Sequence, residues 1–169
     1  MSRIHWPEAL FASAAVLWAG ALPLAPLGLA SPTAGLPERA AAGLVYLAGA
    51  VVCHQRPERS FAWAGQAWPV CARCTGIYLG AAAAVLLFVA AGRAGARVSP
   101  AVRRGAGPAS ARLAVGVALV PAGVTLLWEW TTGVTPSNLV RATTGVVIGG
   151  TVAWVVMRAL RAERALGVN

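Results

Sequence analysis

Thr75-Gly76-Ile77-Tyr78-Leu79-Gly80-Ala81-Ala82-Ala83-Ala84-Val85-Leu86-Leu87-Phe88-Val89-Ala90-Ala91 decides the fold. No charged residue interrupts it between Arg73 and Arg93. An apolar run of about 20 residues is what a helix needs to cross a hydrocarbon core. The chain around it is 58% hydrophobic and 11% charged, against about 25% charged residues in soluble domains. Both observations point to a membrane.

Four further apolar stretches lie outward from this one, at residues 9–30, 37–53, 113–130 and 138–160, with the quoted run completing a span at 74–91. The first contains Pro23 and Pro26, which are expected to bend its second half, and the fourth contains Pro121. Pro37 suits a first helical position and Glu38 the positive end of the helix dipole. The spacing therefore predicts an all-α membrane protein, a single domain over residues 1–169 with about five transmembrane helices. Residues 92–112, rich in Gly, Ala, Ser, Pro and Arg, read as a flexible cytoplasmic connector that touches anionic lipid headgroups.

All 14 basic residues are Arg and the net charge is +9. Such a charge suits nucleic acid, but these arginines sit at the ends of apolar runs, where the positive-inside rule explains them. The expected contacts are membrane lipid, further membrane subunits or a second copy, and no nucleic acid. In a five-span topology Arg39, Arg93, Arg97, Arg103, Arg104, Arg112, Arg158, Arg161 and Arg164 share one side. Arg3, Arg56, Arg59, Arg73 and Arg141 share the other. The expected orientation has the N-terminus outside and the C-terminus cytoplasmic. A cleaved leader ending near Ala30 is the competing reading, and it would leave the five-Arg connector outside.

Thr75-Gly76-Ile77-Tyr78-Leu79-Gly80 is echoed by Thr144-Gly145-Val146-Val147-Ile148-Gly149. Glycines four apart let membrane helices approach closely. The echo predicts two similar hairpins after an N-terminal helix, stacked through Gly76, Gly80, Gly145 and Gly149.

Chemistry concentrates just before the quoted stretch. Cys53, Cys71 and Cys74 are all the cysteines of the chain, and His54 is one of its two histidines. Cys71-x-x-Cys74 has the spacing of a zinc half-site, Cys53 lies a usual distance upstream, and His54 completes a four-ligand set. Zinc suits mixed thiolate and imidazole ligands without redox change. Adjacent residues rarely both reach one metal, so Gln55 or water is an alternative fourth ligand, and an open position would make the site catalytic. Thiol redox chemistry is a second reading, because Cys74 lies near a helix N-terminus beside Arg73. A structural staple without turnover, in an accessory subunit of a larger membrane complex, is a third. Thr75 follows Cys74 where covalent haem attachment needs His.

Glu129, between Trp128 and Trp130, and Arg141, three residues after Asn138, are ionisable groups within apolar stretches. Such groups tend to be paired or functional. A Glu129–Arg141 pair is expected, and with Arg59 and Arg73 it would frame an anion-binding pocket. Interfacial placement, with Arg141 reaching headgroups, is the alternative.

Cys53-His54-Gln55, Arg59-Ser60-Phe61, Pro69-Val70-Cys71-x-Arg73-Cys74-x-Gly76-Ile77-Tyr78-x-Gly80 and Asn138-x-x-Arg141-x-x-Thr144-Gly145 together resemble the membrane proteins grouped as domain of unknown function 2085. The resemblance covers roughly residues 40 to 150. It implies a small polytopic protein of the cell membrane (the inner membrane where there are two) of bacteria or archaea and no established activity. It ties Cys53, His54, Gln55, Arg59, Arg73, Tyr78, Asn138 and Arg141 into one unit. Where that family carries an acidic-Gly pair, this chain reads Glu129-Trp130.

Overall fold

The computed structural model describes residues 6–93 and 107–165. Five helices carry the fold: α1 (Trp6–Ala30), α2 (Leu36–Val52), α3 (Ala72–Arg93), α4 (Pro108–Thr132) and α5 (Asn138–Ala165). A two-strand ribbon, β1 (Ala62–Trp63) and β2 (Gln66–Ala67), sits between α2 and α3. Ala64 and Gly65 turn it with φ of 47° and 78°, the left-handed pair that a two-residue hairpin turn requires.

α3 and α5 run parallel and in register, and their contact is the tightest in the bundle. A Cβ built at Gly76 would overlap the Ala142 carbonyl, and one at Gly80 the Val146 carbonyl. In return, Gly145 is pressed against the Arg73 carbonyl and Gly149 against the Ile77 carbonyl. These contacts are reciprocal. The glycine one position after Thr75 meets the residue two before Thr144, and the same holds with the helices exchanged. The two similar hexapeptides therefore meet as near-equivalent halves around a local two-fold axis. Without a Cβ, each glycine lets the opposing backbone approach to where side chains would hold it off, and dispersion between backbones replaces the hydrophobic term that lipid does not supply.

α1 packs antiparallel to α3. Trp18 meets Tyr78 edge-on at 5.7 Å between ring centroids. Phe11, Ala12 and Ala15 cover the core formed by Val85, Phe88, Ala153 and Met157. At the start of α1, Glu8 is 3% exposed and lies 3.5 Å from the Arg161 guanidinium, which itself stacks over Phe88 at 3.9 Å. α4 packs mainly on α5 and leaves most of its apolar surface open, as a lipid-facing helix does.

Four helices, α1, α3, α4 and α5, are long and apolar enough to cross a membrane. The second of the five expected spans is a helix of 17 residues, and it takes another course. Its residues Glu38 and Ala42 lie beside Gly28, near the end of α1, while its last turn leads to Cys53, which accepts a hydrogen bond from the Cys71 N–H just ahead of α3. Both ends of α2 thus lie at the same end of the bundle, and α2 lies across that end. This corrects two expectations. The α2–α3 hairpin does not form, because α2 packs on α1 and α3 on α5. The start of α1 and the last turns of α5 share one end of the bundle, as Glu8–Arg161 requires, whereas a chain of five spans would set them at opposite ends.

The flexible connector also shortens. Residues 107–112 were expected within it, but Gly107 caps α4 and Pro108 opens it, a position where the missing N–H leaves no bond unmade. Gly92 and Arg93 belong to α3, and the rest of that connector, 94–106, falls outside the described residues. Pro23 and Pro26 lie inside a continuous α1.

Gly145→Ala and Gly149→Ala should each destabilise the detergent-solubilised protein by about 1–3 kcal/mol, the usual penalty of overpacking. Gly123→Ala in α4, whose Cβ would meet nothing within 4 Å, should be neutral or slightly stabilising. Thermal unfolding of the three variants distinguishes them.

Candidate metal site

The end of the bundle holding α2 and the ribbon gathers the sulfurs. Cys53 ends α2, with its N–H donated to the Gly49 carbonyl at 2.9 Å. Cys71 immediately precedes α3, and Cys74 lies in its first turn. The Thr75 N–H donates to the Cys71 carbonyl at 2.9 Å, which winds the Cys-x-x-Cys segment so that both thiols face one way. The three Sγ atoms lie within 4.8 Å of one another. Three sulfurs on one tetrahedral metal at the usual zinc–sulfur bond length stand about 3.8 Å apart, so small side-chain adjustments seat an ion. The Cys71 N–H donates to Cys53 Sγ at 3.2 Å, a bond that favours a thiolate acceptor.

The Cys71 thiol is held below the usual thiol range. The largest cause is the Cys74 thiol donating to it, opposed by burial and reinforced by the Cys74 backbone, Cys53 and His54. A group lowered in this way keeps its charge to lower pH than a free thiol, so Cys71 is the thiol of the pair that most readily offers a thiolate.

His54 is not part of the three-sulfur set. Its ring is exposed, and its Nδ1 accepts the Arg56 N–H at 3.1 Å. The chain leaves α2 sharply at Cys53, which sends consecutive side chains in different directions. Gln55 is a strut. With φ of 49°, it swings back so that its amide donates to the Tyr46 carbonyl at 2.7 Å and the Pro69 carbonyl at 2.8 Å. Gly49 completes this seam, since a Cβ there would strike the Pro69 carbonyl. Gly49 and Tyr46 carry no sequence signal that sets them apart from other residues of α2. Tyr78 stands one turn along α3 from Cys74, against Trp18.

A polar cluster adjoins the sulfurs. Glu129 is 7% exposed and Arg141 3%. One Arg141 Nη donates to both Glu129 oxygens, at 3.0 and 3.2 Å. Arg59 binds the same carboxylate. Arg73 reaches α4 by donating to Thr125 Oγ1 at 2.9 Å. The Asn138 amide donates to the Ser60 carbonyl at 2.9 Å, holding the Arg59 turn against the start of α5. The structure thus brings Arg59, Arg73, Glu129, Asn138 and Arg141 together at the end of the bundle that holds the thiols. Thr125 was not anticipated, because a Thr within an apolar helix commonly bonds its own backbone, as this one also does at Ala122.

Four long apolar helices and a thiol cluster at one end define a multi-pass, all-α membrane protein with a candidate metal site. Residues 53–155 match the family described as "Predicted membrane protein (DUF2085)", and the chain belongs to that family. It is similar to an uncharacterised protein of Methanothermobacter thermautotrophicus, with 63% identity over 30 residues, 18% of this chain and 27% of the relative. It is also similar to the uncharacterised protein MJ1492 of Methanocaldococcus jannaschii, with 41% identity over 44 residues, 26% of this chain and 28% of the relative. The matched regions span under a third of each relative. No solved structure matches the chain.

Glu129→Gln would leave Arg59 and Arg141 facing each other without a carboxylate. Removing one partner of a buried ion pair costs about 3–5 kcal/mol. Denaturant unfolding of the variant in detergent should show a loss of that order, and unchanged stability would contradict the pairing.

Proposed function

We propose that the protein is a metal-binding membrane protein whose ion is held by Cys53, Cys71 and Cys74, with zinc as the metal. The observation that carries this reading is the convergence of three sulfurs from two separate segments within 4.8 Å. Thiolates are soft ligands, and a divalent ion without redox chemistry suits such a set. Three protein ligands leave a fourth position for water or another small ligand, the arrangement of catalytic rather than purely structural zinc sites. Water bound there would be acidified by the ion.

The sulfurs lie at the end of the bundle opposite Arg112, Arg158 and Arg161. The end of α3 and the stretch of sequence joining it to α4 carry Arg93, Arg97, Arg103 and Arg104 as well, and by the positive-inside rule the arginine-rich end faces the cytoplasm. The proposed setting is therefore the outer face of the cell membrane. Both chain ends would lie on the cytoplasmic side, with α2 in the outer interfacial layer. The exposed Leu36, Leu44, Leu47 and Val51 of α2 suit burial among lipid chains near the headgroups.

Metal analysis of protein purified without added chelator tests the reading. We expect about one zinc per chain, with thiols protected from alkylation until chelator is added. Cys71→Ser and Cys74→Ser should each lose the metal. A metal-free protein with a Cys53–Cys71 or Cys53–Cys74 disulfide would replace this reading with thiol redox chemistry.

A further inference from the structure

The polar cluster carries more positive charge than its carboxylate answers. Arg59, Arg73 and Arg141 converge from the ribbon side, α3 and α5, and among the described residues Glu129 is the only carboxylate that pairs with any of them. Among the described residues Arg73 forms no ion pair, and its hydrogen-bond partner is the neutral Thr125 hydroxyl, with the Cys71 thiol near enough to answer part of its charge. That hydroxyl spends its own proton on the Ala122 carbonyl, so it accepts from Arg73 but cancels none of its charge.

The donors are under-used as well. Arg141 is 3% exposed, and its Nε is buried with no partner, as is the Nε of Arg73. Glu129 takes its two bonds from Arg141 at a single Nη, which leaves the rest of that guanidinium's fork free for another acceptor. A buried donor left unmade costs about 1–3 kcal/mol, more when charged. Guanidinium forks match the oxygens of phosphate and carboxylate groups, and several converging on one point favour an anion with several oxygens. A divalent ion on three thiolates would carry one net negative charge nearby and would still leave the cluster in excess. The excess positive charge therefore stands with or without the metal.

We propose that Arg59, Arg73 and Arg141 form a binding site for a phosphate-type oxyanion, at the same end of the bundle as the thiols. Arg141, fixed by Glu129, and Arg73, fixed by Thr125, form its floor. Arg59, with a side chain 29% exposed, stands at its open side. Free phosphate and the phosphate of a lipid headgroup share this chemistry.

The test uses the full chain in a phosphate-free detergent. Inorganic phosphate is titrated by calorimetry against chloride at equal ionic strength. In parallel, the protein is placed in vesicles of phosphatidylcholine with or without phosphatidic acid, and retained lipid is counted by native mass spectrometry. Binding of one inorganic phosphate per chain supports a site for the free anion, and selective retention of phosphatidic acid supports a headgroup site. In either arm Arg73→Gln and Arg59→Gln should each weaken binding about tenfold, the loss expected for one charge-assisted bond. Arg112→Gln, exposed at the opposite end, should leave it unchanged. Arg59→Gln lies at the partly exposed edge, and its thermal unfolding checks that the fold is kept. The proposal is overturned if neither phosphate nor phosphatidic acid binds, or if Arg112→Gln weakens binding as much as Arg59→Gln does.

Discussion

Backbone contact between α3 and α5 sets the positions of everything else. With glycines at 76, 80, 145 and 149, the helices come close enough for the carbonyls of one to rest where the side chains of the other would be. This fixes their register. Register in turn decides which residues share the end of the bundle. Cys71, Arg73 and Cys74 open α3, and Asn138 and Arg141 open α5, so a parallel, in-register pair delivers all five to one place. A slip of one turn, about 5.4 Å, would carry Arg141 away from Arg73 and Asn138 away from Ser60.

The sulfur cluster depends on this arrangement through a short chain of contacts. α3 fixes Cys71 and Cys74. Gln55, by spanning the Tyr46 and Pro69 carbonyls, ties the end of α2 to the segment leading into α3 and so fixes Cys53. The left-handed turn at Gln55 is the cost of that tie, and the two hydrogen bonds from its side-chain amide offset it. The basic cluster is held from the other side, with Glu129 drawing the end of α4 toward Arg59 and Arg141. α4 touches the bundle chiefly through α5, so these polar contacts supply much of what fixes its end.

The helical, membrane-spanning character and the α3–α5 contact were legible in the sequence because each rests on a local pattern. Apolar run length marks a helix that can span, and Thr-Gly-x-x-x-Gly repeated at two helix starts marks a close approach. The path of α2 was not legible. Ala40 to Cys53 is apolar enough to resemble a short span, and what decides otherwise is the antiparallel docking of α1 on α3, a contact between residues far apart in sequence. The Glu8–Arg161 pair that reveals it joins nearly opposite ends of the chain. The thiol set was legible from spacing, whereas the exclusion of His54 was not, because it turns on the direction in which the chain leaves α2. Glu129 and Arg141 stood out as charges in apolar stretches. Thr125, the partner of Arg73, had no such signal.

The proposed site has three cysteines from two segments holding one metal ion, with a further position left open. X-ray absorption at the zinc edge of the purified protein reads this most directly. Three sulfurs at about 2.3 Å and one lighter atom at about 2.0–2.2 Å around the ion are expected. A shell of oxygen and nitrogen alone, with no sulfur scattering, would contradict it.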